Sequence, residues 1–346
     1  MDLTLTEDDS LIERTFEKLL AAESGPAKVR AAEPLGFDPA LWKQVVSASA
    51  PTMGVSEALG GSGVSPMGLV LVAQQVGRYL APIPLIESMA ASNLLACAGA
   101  HELLTVVNAG AVATVAVRPA VNGRCRLVPA GAIADIVIAL DGEELVALER
   151  ATPTRGSSAR PSPNLGCSPI ADIGLGDPGF QRTRLASGAD ARRLFADAVA
   201  EWTLLMAAAL DGLRGAALDL AVKHVMQREA FGVTLGWFQG LQHRLADLFA
   251  AGEGARLLVY RAAWNRQNRT DEAAQLAAMS FLFLADLAFK TCREALQFHG
   301  GYGYTLDFDI QLYLRRAKAW PLMRGELRTE YQRLAVRLYP ERAAEQ

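Results

Sequence analysis

Residues 228–247 read Arg-Glu-Ala-Phe-Gly-Val-Thr-Leu-Gly-Trp-Phe-Gln-Gly-Leu-Gln-His-Arg-Leu-Ala-Asp. Apolar residues recur at helical spacing over 191–228 and again over 239–268, so this stretch is the corner between two long helices. A helix that ends in Arg228-x-x-Phe231-Gly232 and restarts at Gln239 sets a guanidinium, an aromatic face and an amide around one corner. That group suits a diphosphate next to a nucleoside. A helix C-terminus with a basic last turn and a glycine cap at Gly232 accounts for the same residues without a ligand.

A second segment further along reads Gln297-Phe298-His299-Gly300-Gly301-Tyr302-Gly303-Tyr304-Thr305, followed by Leu314-Arg315-Arg316-Ala317. Gly300, Gly301 and Gly303 let backbone N–H groups approach a ligand closely, and Gln297 at the preceding helix end can hydrogen-bond a phosphate or a ribose. A glycine-rich turn between two bundle helices is the simpler explanation of this segment alone. The pair, in this order, is far more specific than either member.

Helical spacing continues over 272–298 and 308–338, which predicts four long helices and a bundle. Asp271 and Glu272 mark the start of the third with negative charge in its first turn. Toward the N-terminus, Leu11, Phe16, Leu19 and Leu20, then Leu69, Val72, Val76 and Leu80, also follow helical spacing, with loops at Gly36 and Gly60-Gly61-Ser62-Gly63. Between these regions, β-branched runs at 112–117, 136–140 and 145–148 are separated by Asn122-Gly123 and Asp141-Gly142, dipeptides that favour tight hairpin turns. Residues 151–169, rich in Pro, Ser, Thr and Arg, hold too few apolar side chains for a core and read as a linker or an irregular edge. The expected organisation is an N-terminal helical domain (1–103), a small middle β domain (104–188) and a C-terminal four-helix bundle (189–346).

A net charge of −3 over 346 residues, with Lys and Arg scattered, leaves no basic field for a nucleic acid. The acidic segment 1–9 does not read as a secretory signal, and the apolar stretch 277–289, interrupted by Asp286, falls short of the ~20 residues a bilayer needs. A soluble cytoplasmic protein is expected. Cys97, Cys125, Cys167 and Cys292 share no paired spacing, and His101, His224, His243 and His299 form no ligand pattern with them, so neither a disulfide nor a metal is expected.

Both glycine-bearing segments, in this order within a C-terminal bundle, resemble the acyl-CoA dehydrogenase superfamily. The resemblance extends over most of the chain, through Leu59-Gly60-Gly61-Ser62-Gly63-Val64-Ser65 with Val76-Gly77-Arg78, and through Gly123 to Ala134-Asp135 in the β region. It implies FAD as cofactor and oxidation of an acyl-CoA between its α and β carbons, with a Glu taking the α proton and the flavin the hydride. In such enzymes two subunits hold each flavin, one around the isoalloxazine and its neighbour around the ADP half. The neighbour's share is carried here by Arg228, Phe231, Gln239, Gln297, Gly300 and Gly301.

The other share departs from the pattern. Val117-Arg118-Pro119 stands where the resemblance calls for Thr-Glu-Pro, and Met323-Arg324-Gly325-Glu326 stands where a Tyr-Glu-Gly-Thr segment would carry the base. An Arg is no base at neutral pH. At the alternative base position, on the first bundle helix, the chain has Trp202. Glu201 is one residue away, about a hundred degrees around the helix, and reads as first-turn helix charge. Trp202, Leu205, Met206 and Ala209, at spacing i, i+3, i+4 and i+7, read as core or interface. The chain therefore resembles the short subunits of bacterial heterotetrameric, steroid side-chain type acyl-CoA dehydrogenases. That implies an α2β2 assembly in lipid or steroid degradation, whose full-length partner holds most of the acyl-CoA and supplies the base, with this chain inactive alone. Two other readings stand beside it: a self-sufficient homo-oligomer using Glu201 or Glu326 as a displaced base, and a flavin-free structural relative.

Overall fold

The computed structural model describes residues 2–151 and 161–339. It begins with six helices, α1 (Glu7–Glu23), α2 (Pro26–Ala32), α3 (Pro39–Ser47), α4 (Pro66–Arg78), α5 (Leu85–Cys97) and α6 (His101–Asn108). Six strands follow, β1 (Ala113–Val115), β2 (Arg124–Val128), β3 (Ile136–Asp141), β4 (Glu144–Arg150), β5 (Ala171–Gly174) and β6 (Phe180–Ser187). The 40-residue α7 (Gly188–Gln227) leads into a small hairpin, β7 (Glu229–Ala230) and β8 (Val233–Thr234). The remaining helices are α8 (Gln239–Gln267), α9 (Ala273–His299), α10 (Ile310–Ala319) and α11 (Leu327–Leu338).

The described residues form two compact units, one of 27–69 and 82–203, the other of 2–26, 70–81 and 204–339. In the first, β1, β3, β4 and β6 make a four-stranded sheet in that order, with β1 and β3 parallel and the other pairs antiparallel. Ile136, Ile138, Leu145 and Ala147 on this sheet pack with Leu94 and Leu95 of α5 and Leu194 and Phe195 of α7 in one buried cluster. Asp141-Gly142 opens the predicted β3–β4 hairpin, in which Asp141 pairs with Glu144. At Asn122-Gly123 both residues have positive φ, 51° and 69°, and Val121 and Arg124 exchange backbone hydrogen bonds across the turn. This is the geometry for which Asn-Gly is selected. The outgoing strand β2 nevertheless pairs with β5. Sequence reasoning missed β2, β5 and β6. Four consecutive residues of β6, Gln181 to Arg184, are exposed on an edge strand, and such a strand carries no alternating apolar signal. Of the Pro/Ser-rich stretch, residues 152–160 lie outside the described residues.

In the second unit, α8 and α9 pack against each other, and Leu248, Ala255 and Val259 of α8 and Phe281, Leu284, Ala288 and Cys292 of α9 are buried. Leu205, Met206 and Ala209 of α7 are also buried, as their spacing predicts. The expected helix over 308–338 is in fact two. A proline's missing N–H and the positive φ (125°) of Gly325 separate α10 from α11 at Pro321–Met323. Leu11, expected on a core face, is exposed. Asp271 and Glu272 precede α9 and lie outside its first turn, and Glu272 pairs with Arg261 instead. The 277–289 stretch proves to be the middle of a 27-residue helix. By length and composition alone, α9 with its following turn could cross a membrane, but half of its most apolar window is buried within the protein, as for a core helix.

Candidate functional site

The corner after α7 is built by backbone hydrogen bonds. The Arg228 N–H donates to His224 O at 2.8 Å, and the Leu235 N–H donates to Arg228 O at 2.8 Å. Between them β7 and β8 pair across Phe231 and Gly232, whose φ values are 55° and 81°. Gly232 is therefore the second turn residue of a hairpin, and the helix-cap explanation of it is wrong. A phenylalanine at positive φ is strained, and this turn throws its ring outward until the residue is 96% exposed. Phe238 meets it edge-on at 6.3 Å, Trp237 beside them is exposed, and Gln239 opens α8.

Helix α9 ends at His299, with Gly300 at φ 65° turning the chain into a single 3-10 turn, Gly300–Tyr304. The predicted glycine-rich turn is present, with Gln297, Gly300 and Gly301 exposed on it. The imidazoles of His224 and His299 stack at 4.1 Å, which brings the end of α7 against the end of α9. The two segments picked out by sequence thus form one surface within one unit. Burial, then the neighbouring His299, then Arg228 hold the His224 pKa below its ordinary value of 6.5.

Among the described residues, the Arg228 guanidinium and the side-chain amides of Gln239 and Gln297 take no hydrogen bond or ion pair. No neighbour lies within 4 Å of where a Cβ would sit on Gly232, Gly300 or Gly301, so the glycines face open space. A cationic fork, two amides and a bare backbone turn beside exposed aromatic rings fit the diphosphate, ribose and adenine of a dinucleotide.

The candidate base positions are arranged differently. Glu201 lies well inside α7, which starts at Gly188, so first-turn charge is not its role. It is 4% exposed and accepts a hydrogen bond from the Asn93 amide. Trp202 is fully buried, and its indole N–H approaches Glu87 Oε1 at 3.5 Å. Burial pushes the Glu87 carboxyl up to about 7. Sequence reasoning missed Glu87; the available signal was a lone acid in the otherwise apolar and neutral helix 85–97. Arg324 forms an ion pair with Glu330 at 3.3 Å, and Glu330 also pairs with Arg333. Glu326 is exposed at the start of α11. Arg118, of the Val-Arg-Pro segment, donates to the Arg126 carbonyl at 2.6 Å.

Residues 6–104 match the family profile "Acyl-CoA dehydrogenase, N-terminal domain" and residues 193–338 match "Acyl-CoA dehydrogenase, C-terminal domain". The chain belongs to the acyl-CoA dehydrogenase family. Members of this family are FAD-dependent oxidoreductases. A similar protein is acyl-CoA dehydrogenase IpdE2 of Mycolicibacterium smegmatis, 31% identical over 97% of this chain and 100% of its own length. Among solved structures, the fold matches a chain of the ChsE4–ChsE5 complex from Mycobacterium tuberculosis, with a TM-score of 0.85 and 23% identity over 98% of this chain and 99% of that one. It also matches a chain of the Tcur3481–Tcur3483 steroid ACAD, with a TM-score of 0.83 and 22% identity over 99% and 100%.

Proposed function

We propose that this acyl-CoA dehydrogenase chain is the base-lacking subunit of an α2β2 enzyme, in which it completes the FAD site of a full-length partner. The observation that carries the reading is the exposed and unpaired set Arg228, Gln239 and Gln297, next to the outward-thrown Phe231. In this role Arg228 pairs with the diphosphate, the two amides and the Gly300-Gly301 backbone hold the ribose and phosphate, and Phe231 lies against the nucleoside. Bound FAD supplies the hydride acceptor. The proton-removing carboxylate and most of the acyl-CoA contact come from the partner, because Trp202 and Arg324 hold the positions where the resemblance places a base. Likeness to the ChsE4–ChsE5 complex and to a steroid ACAD supports a heteromeric assembly and a steroid side-chain acyl-CoA as substrate.

The test is expression of the chain alone and together with a full-length relative, recording the visible flavin spectrum and native mass of each. Yellow protein of α2β2 mass, with fewer flavins than chains, is expected only from co-expression. A yellow, active homo-oligomer from this chain alone would overturn the proposal in favour of a self-sufficient enzyme. The buried carboxylate of Glu201 is the observation that speaks for that second reading.

A further inference from the structure

The hydrogen bonds above fix each motif on its own helix end, but none of them fixes one motif relative to the other. Side-chain rings make that connection. His224 stands four residues before Arg228 and His299 two after Gln297; their rings stack at 4.1 Å with an interplanar angle of 26°. Phe308, two residues before α10, meets His224 edge-on at 6.4 Å and His299 at 5.8 Å. Tyr302, inside the glycine turn, lies 6.0 Å from Phe308. His299 is itself fixed, with Nδ1 at 2.7 Å from the Ala295 carbonyl, so that nitrogen carries its proton.

We infer that this four-ring joint, with the His224–His299 stack at its centre, positions the Arg228 corner against the Gln297–Gly301 turn so that both engage one cofactor. The inference rests on the cofactor reading above and adds residues that touch no cofactor in it. A ligand spanning two helix ends must otherwise order them on binding, and a joint made beforehand removes that cost. The joint acts through ring faces and edges, which a phenyl ring at 224 also presents.

Three variants separate ring from volume: His224→Phe keeps a ring, His224→Leu keeps bulk alone, and His224→Ala keeps neither. Each is placed in the FAD-loaded assembly, and the dissociation constant of FAD is read from flavin fluorescence alongside native mass. The Leu and Ala variants should lose about two- to tenfold in FAD affinity at unchanged mass, the range a single aromatic pair supports. The Phe variant should stay within about twofold of wild type. In the flavin-free chain, the ring-current shift of the His299 Hε1 resonance should persist in His224→Phe and shrink in His224→Leu to the part that Phe308 supplies. Leu and Ala variants that hold FAD like wild type, or a Phe variant that releases it as readily as they do, would overturn the inference. Arg228→Ala distinguishes the two levels. If it loses FAD while the His224 variants do not, only the joint fails; if it too retains FAD, the cofactor reading itself fails.

Discussion

Helix α7 carries Trp202 in its interior and ends one residue before Arg228, and the two neighbourhoods treat their polar groups in opposite ways. Around Trp202 every polar group discussed has an internal partner: the indole faces Glu87, and Glu201 accepts from Asn93. Around Arg228 the guanidinium and two amides have none among the described residues, and a phenylalanine is held outward at a strained φ. Exposed polar groups alone are ordinary, since water solvates them. An aromatic ring 96% exposed on a strained turn, between unspent donors, is not ordinary, because neither burial nor backbone comfort explains it. One neighbourhood is paired internally, and the other presents its donors and an aromatic ring to solvent.

The sharpest way to break this contrast is to truncate its buried side. Trp202→Ala should destabilise the chain by roughly 3–5 kcal/mol, the usual cost of emptying so large a buried site, read as a lower urea midpoint. A variant as stable as wild type would show that Trp202 is not structural. Next is Glu87, whose proton leaves near 4.5 when the chain is unfolded and near 7 when it is folded. Between those values the folded state holds more protons, so stability present below pH 4.5 is lost as pH rises to about 7. Glu87→Gln should therefore gain up to roughly 3 kcal/mol over wild type at pH 8 and almost nothing at pH 4, measured by urea unfolding at both.

On the open side the expected effects move from stability to ligand. Arg228→Ala should leave unfolding within about 0.5 kcal/mol of wild type, while FAD retention in the assembled enzyme drops by about ten- to a hundredfold, as for loss of a charge-assisted hydrogen bond. Flavin content unchanged in that variant would count against the site. The smallest effect is expected of Phe231→Ser, which should keep the unfolding free energy within about 0.5 kcal/mol of wild type by urea titration and weaken FAD binding by only about two- to tenfold. A marked loss of stability there would mean that the ring is structural after all and would remove the contrast.

Sequence reading found both motif segments because they combine rare features, a glycine-rich turn and an Arg-x-x-Phe-Gly corner, with long helical periodicity on either side. It placed Trp202 in the core because 202, 205, 206 and 209 fall on one helix face. The ligand-free alternative it kept for Gly232, a helix cap, fails because a hairpin of two-residue strands has no periodicity to read. It took Glu201 for first-turn charge although the helical spacing it read already began at 191, which puts residue 201 well inside the helix. It took 308–338 for one helix although Pro321 and Gly325 were in view, since a short break leaves the apolar spacing on both sides almost in phase.

The sequence by itself determined the family, the order of helical and β segments, and the chemical types gathered at the α7–α8 corner and the α9 turn, because these depend on local pattern and composition. Only the tertiary structure decided that the two motifs share one surface through the His224–His299 stack, that Phe231 faces outward, and that Trp202 closes over Glu87. Those outcomes rest on contacts between residues far apart in the chain, and no window of sequence records which distant side chain will occupy a given space.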